Sequence, residues 1–186
     1  MNRVFILDRS GSMETCQDDT IGGFNAFLSE QKALGGTLTL VLFDHEYQVL
    51  YERKPIGDAE PLSRDTFVPR GSTALLDAIG KTIKTVTSNN PTVVILTDGQ
   101  ENSSKEYTKA HIKDLIEQKT KDGWTFVYLG ANQDAFAEAG GLGISPAATV
   151  NYDVRRTPEA FRTLSQAMSS QASNNAQAFN FNTQLV

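Results

Sequence analysis

Apolar positions along this chain follow two rhythms. Short continuous runs alternate with longer stretches in which a hydrophobic residue recurs every three or four positions. The run through Val4, Phe5, Ile6 and Leu7 makes Arg3–Asp8 a strand covered on both faces. Ile21, Phe24, Phe27, Leu28 and Gln31 then fall at helical spacing, so 18–34 is a helix. Gly22-Gly23 weakens its start, its first turn cannot be placed, and Gly35-Gly36 ends it. Thr37–Phe43 and Tyr47–Glu52 are strands joined by three residues. Such a link is too short for a parallel crossover, so they form an antiparallel hairpin.

The segment 54–71 carries Pro55, Pro61 and Pro69 and reads as a long excursion with little regular structure. Leu75, Leu76, Ile79, Ile83 and Val86 mark an amphipathic helix. Thr92–Thr97 is a strand. Ser103 and Glu106 match a capping box and open a helix through Ile112, Leu115 and Ile116 to about Gly123. A strand at 124–129 follows. Asn132 caps a short helix stopped by Gly140-Gly141, and 148–152 is a last short strand. Thr157-Pro158 opens a final helix with the stripe Phe161, Leu164 and Met168. From Ser169 the composition turns to Ser, Asn, Gln and Ala. This reads as a frayed helix end and a mobile tail, with Phe179 and Phe181 able to dock on the domain or on a partner.

Strands alternating with helices give an α/β fold, a mostly parallel sheet with one antiparallel edge strand and helices on both faces. The length, 186 residues, suits one domain. With 17 basic and 22 acidic residues and a net charge of −5, the chain has no basic footprint for nucleic acid. No run approaches the ~20 apolar residues of a membrane span. The single cysteine, Cys16, excludes an internal disulfide. It reads as a small packed residue, since nothing basic beside it favours the thiolate. Strand residues from Arg3 leave no room for a signal peptide, so the expected compartment is the cytoplasm.

In such sheets ligands bind at the C-terminal ends of the strands. Three polar clusters fall there: Asp8, Ser10 and Ser12 after the first strand, Thr73 just before a helix, and Asp98 after the strand 92–97. Two carboxylates and three hydroxyls, without sulfur or imidazole, favour Mg2+ or Mn2+ over zinc or copper. Taken singly, each piece is also an ordinary turn or helix cap. Their order along the chain is what singles them out.

At these residues the sequence resembles the von Willebrand factor A domain, whose metal-ion-dependent adhesion site is written Asp-x-Ser-x-Ser, then a threonine, then an aspartate. Asp8, Ser10, Ser12, Thr73 and Asp98 match all five positions in order, and the likeness runs from Arg3 to about Met168. It is strongest to the small stand-alone bacterial and phage type. The resemblance implies a domain over residues 1–170, a polar tail over 171–186, and a divalent cation bound by the five residues. It also implies a protein partner whose Asp or Glu carboxylate completes the metal shell, hence a binding module rather than an enzyme.

Two other readings stand beside this one. One is a structural or assembly subunit that uses the domain as scaffold, with the tail as the contact. The other is a Mg2+-dependent phosphotransferase with Asp8 as nucleophile and Ser72 or Thr73 holding phosphate. Enzymes resembling the haloacid dehalogenase family want an acid two residues after the nucleophile, where this chain has Ser10. Among the remaining polar residues, Arg9 is expected to point outward toward an acidic partner. Asp44 is expected to be a turn carboxylate, and Asp77 to pair with Lys81 or the helix dipole. Glu101 and Asn102 fit either the metal rim or open solvent.

Overall fold

The computed structural model describes residues 1–131, 134–174 and 179–181. The elements, in order, are β1 (Asn2–Asp8), α1 (Gln17–Lys32), β2 (Thr37–Phe43), β3 (Tyr47–Pro55), α2 (Leu75–Thr85), β4 (Thr92–Thr97), α3 (Lys109–Lys121), β5 (Thr125–Ala131), α4 (Ala135–Gly141), β6 (Thr149–Tyr152) and α5 (Thr157–Asn174). The six strands lie in the order β3-β2-β1-β4-β5-β6. All neighbours are parallel except β2 and β3, which form the expected antiparallel hairpin at one edge.

The two central strands explain their own sequences. In β1 and β4 residues of both alternations are buried, because helices cover both faces. On one face Phe5 meets Phe24 and Phe27 of α1 edge-on, at centroid distances of 5.5 and 5.0 Å, and Phe161 of α5 closes the cluster. Full burial of each of these rings is worth roughly 1.5–3 kcal/mol. The same contact explains Gly23. A Cβ there would sit 2.5 Å from Cδ2 of Phe161, so the glycine that costs α1 helix propensity lets α5 approach. α2 and α3 pack together on the other face.

Several elements differ from the sequence expectation. A 3-10 turn at Gly11–Cys16 precedes α1 and accounts for the first turn that could not be placed. The excursion 54–71 sends Ile56, Leu62 and Phe67 into the core. The capping box at Ser103 and Glu106 does not form; α3 begins at Lys109, where Thr108 is the N-cap and its side chain accepts from the His111 N–H. Asn132 lies outside the described residues, and the cap of α4 is Asp134, whose Oδ1 accepts from the Ala137 N–H. The last helix continues past Ser169 to Asn174. Beyond it Phe179 is buried against the domain, stacked on Phe181 at 5.7 Å, and the Phe181 N–H donates to the Ala147 carbonyl.

Candidate functional site

β1 delivers Asp8 to the rim of the sheet with no solvent exposure. Its Oδ1 accepts from the Ser10 N–H at 2.6 Å, an Asx turn that reverses the chain and leads into the 3-10 turn. Its Oδ2 accepts from the Thr97 hydroxyl, also at 2.6 Å. Thr97 was not among the residues singled out from sequence. The signal was available in the pairing of the apolar runs: Leu7 faces Leu96, so the next residues along, Asp8 and Thr97, are opposite each other.

The other candidates gather around the same point. The Ser12 hydroxyl donates to Oδ1 of Asp98 at 2.6 Å and lies 3.2 Å from Oγ of Ser10. A methyl group placed on Gly99 would lie 3.1 Å from Oγ1 of Thr73, 3.4 Å from Oγ of Ser12 and 3.7 Å from Oγ of Ser10. Three hydroxyls from two separate loops thus converge beside the Asp98 loop. Asp8 is at the bottom, Ser10 and Thr73 are buried, Asp98 is half-buried and Ser12 is exposed. The cluster therefore opens toward solvent on one side.

The electrostatics of this cluster are unbalanced. Burial pushes the Asp8 carboxyl up to about 6; hydrogen bonds from Thr97 and Ser10 pull it down, and the nearby Asp98 charge adds to the rise. Burial raises Asp98 as well. Among the described residues no Lys, Arg or His forms an ion pair with either carboxylate. The guanidinium closest in sequence, Arg9, turns away. It is buried, not outward as expected, with Nε 3.0 Å from Oδ2 of Asp44 and Nη1 2.6 Å from Oε1 of Gln48.

Asp44 is a turn carboxylate, as expected, and more. Its Oδ1 accepts from the Glu46 N–H at 2.6 Å, and its Oδ2 also takes Nε of Arg70 at 2.8 Å. Arg70 reaches Glu46 with its other end. Main-chain bonds complete this junction: Arg70 N–H to the Arg9 carbonyl, Gly11 N–H to the Gly71 carbonyl, and Ala74 N–H to the Asp44 carbonyl. Gly71 has φ of +67°, and a Cβ there would meet His45 at 2.2 Å, so only glycine fits this crossing. The Asp8–Ser12 loop and the loop carrying Thr73 are thereby joined.

A second junction joins Thr73 to the segment after Asp98. The N-cap position of α2 is Ala74, which has no side chain to cap with. The segment after Asp98 supplies the caps: Oε2 of Glu101 accepts from the Leu76 N–H at 2.9 Å, and Oγ of Ser104 accepts from the Asp77 N–H at 3.0 Å. Asp77 returns the favour, accepting from the N–H groups of Lys105, Glu106 and Tyr107 at 2.9–3.0 Å. Lys81 pairs with Glu106 instead of Asp77. Burial raises the Asp77 carboxyl, but the three N–H bonds outweigh it and hold the group below its ordinary range. Asn102 completes the junction, its Oδ1 accepting from the Thr73 N–H, so Glu101 and Asn102 both have structural partners. Cys16 is a buried thiol that burial pushes up to about 11, consistent with packing.

Among the described residues no group of three or more His, Cys, Asp or Glu side chains gathers as a metal cluster. The set at the rim is of another kind, two carboxylates and three hydroxyls. All five are hard oxygen donors, the chemistry that suits a small divalent cation.

Neither a protein-family model nor a curated protein matches this chain. Solved structures do. The von Willebrand factor domain of the type V pili tip protein Mfa5 from Porphyromonas gingivalis superposes with a TM-score of 0.70 at 11% identity, over 95% of this chain and 97% of that one. The manganese-loaded TRAP protein of Plasmodium vivax gives 0.60 at 16% identity, over 86% and 70%. Proximal thread matrix protein 1 from the mussel byssus, with a zinc-occupied MIDAS motif, gives 0.65 at 13% identity, over 90% of this chain and 47% of that one. The chain spans under half the length of the mussel structures it matches. With the strand order and the antiparallel edge strand described above, these likenesses establish that the chain has the Rossmann-like fold of the von Willebrand factor A domain.

Proposed function

We propose that this protein is a metal-dependent protein-interaction module. Asp8, Ser10, Ser12, Thr73 and Asp98 hold a divalent cation, Mg2+ or Mn2+. The Asp or Glu carboxylate of a partner protein completes its shell, and the encounter takes place in the cytoplasm. One observation carries the reading: two carboxylates from different loops are held beside three hydroxyls, with no ion-pair partner among the described residues to balance them. A cation supplies that balance and, with so few anionic ligands, keeps an appetite for a further carboxylate.

Asp8 suits this role better than that of a nucleophile, since both its oxygens accept short hydrogen bonds from the fold. The relatives in structure add support of a general kind: one is manganese-loaded and one has its MIDAS motif occupied by zinc.

The test is thermal unfolding with and without cation. Millimolar Mg2+ or Mn2+ should raise the melting temperature through linkage, and Asp8→Ala should abolish the rise. A melting temperature indifferent to both ions in the wild-type protein sinks the reading. Turnover of a phosphate ester that depends on Asp8 would replace it with the enzyme reading.

A further inference from the structure

Asn102 is bonded to Thr73 twice. Its Oδ1 accepts from the Thr73 N–H at 2.9 Å, and its own N–H donates to the Thr73 carbonyl at 3.0 Å. The pair of bonds brackets the Thr73 Cα, fixing the backbone torsions on both sides and therefore the direction of the side chain. Asn102 is in turn fixed by its neighbour. Oε1 of Glu101 accepts from the N–H groups of Ser103 and Ser104 at 2.9 and 2.6 Å, and Oε2 holds the first turn of α2. Asp98 lies four residues before Asn102 on the same loop.

We infer that Asn102 is a positioning residue for the cation site, aiming the Thr73 hydroxyl without touching the ion. The inference rests on the metal reading given above. Without the side-chain acceptor, the Thr73 N–H turns to water and the hydroxyl loses its fixed bearing on the Asp98 loop. Groups that orient metal ligands typically change metal affinity by about 10–100-fold when removed. Asn102 is exposed, so the lower end of that range, about tenfold, is expected here.

The experiment compares the wild-type chain with Asn102→Leu, which has the same branching at Cγ and no acceptor, and with Asn102→Asp, which keeps the acceptor. Two readouts are taken: Mn2+ affinity by titration calorimetry, and amide hydrogen exchange at Thr73 in the metal-free protein. Asn102→Leu should weaken Mn2+ binding about tenfold and speed exchange at Thr73. Asn102→Asp should bind at least as tightly as wild type and keep the protection. Equal Mn2+ affinity in wild type and Asn102→Leu overturns the inference and leaves the metal reading standing. Loss of affinity in both variants assigns Asn102 a merely structural role and also overturns it. Failure of the wild-type chain to bind Mn2+ removes the metal reading, and the inference with it, whatever the exchange shows.

Discussion

Two buried acids hold the rim on either side of Thr73, and they do so by different physics. Asp44 is met mainly by guanidinium groups, from Arg9 and Arg70. Asp77 is met by three backbone N–H groups in a row. The first junction cancels charge with charge and uses side chains from three distant segments. The second spreads one negative charge mainly over main-chain dipoles, with Lys81 a lesser contributor. Both leave Asp8 and Asp98 unneutralised between them. The Arg9 guanidinium, which sits in sequence between two site residues, is engaged by Asp44 and Gln48.

The difference can be broken at its strongest point first. Asp44→Ala strands the buried Arg9 without its carboxylate. Removing one partner of a buried pair costs about 3–5 kcal/mol, so urea unfolding should show a loss of that order; a loss under about 1 kcal/mol would mean the ionic junction carries no weight. Asp77→Ala leaves three N–H groups to find water on a loop that can partly open, and about 2 kcal/mol is expected from the same measurement. Its pH dependence has a definite sign. Asp77 titrates below its ordinary value of 3.8 in the folded protein. Its contribution is therefore present above that value and is lost as pH falls through the lowered one. The stability gap between wild type and Asp77→Asn should be open at neutral pH and close in acid. The smallest effect belongs to Arg70→Ala. Its side chain is about half exposed and Arg9 remains to neutralise Asp44, so the loss in the same urea measurement should be the smallest of the three and shrink further with added salt.

The two junctions were also unequally legible. The strands, the hairpin and the order of Asp8, Ser10, Ser12, Thr73 and Asp98 follow from local signals, because apolar runs and turn chemistry act over a few residues. The junctions depend on partners far apart in the chain. Arg9 reads as an outward arginine until Asp44, 35 residues on, is folded beside it. Ser103 and Glu106 carry the spacing of a capping box. The N–H groups of Ser103 and Glu106 are instead claimed by Glu101 and Asp77, and α3 starts at Lys109, capped by Thr108. Gly23 reads as a weak spot in a helix until Phe161 is found against it. In each case a tertiary contact displaced a local preference.

The exchange of caps between α2 and the loop after β4 bears on how this domain can be recombined. Ala74–Asp77 and Glu101–Tyr107 complete each other's hydrogen bonding, so neither is a finished part alone. A chimera that transplants the Asp98 loop into another sheet of this architecture inherits three stranded donors, the N–H groups of Lys105, Glu106 and Tyr107, unless the start of α2 travels with it. For anyone grafting this site, the unit of exchange is the two segments together.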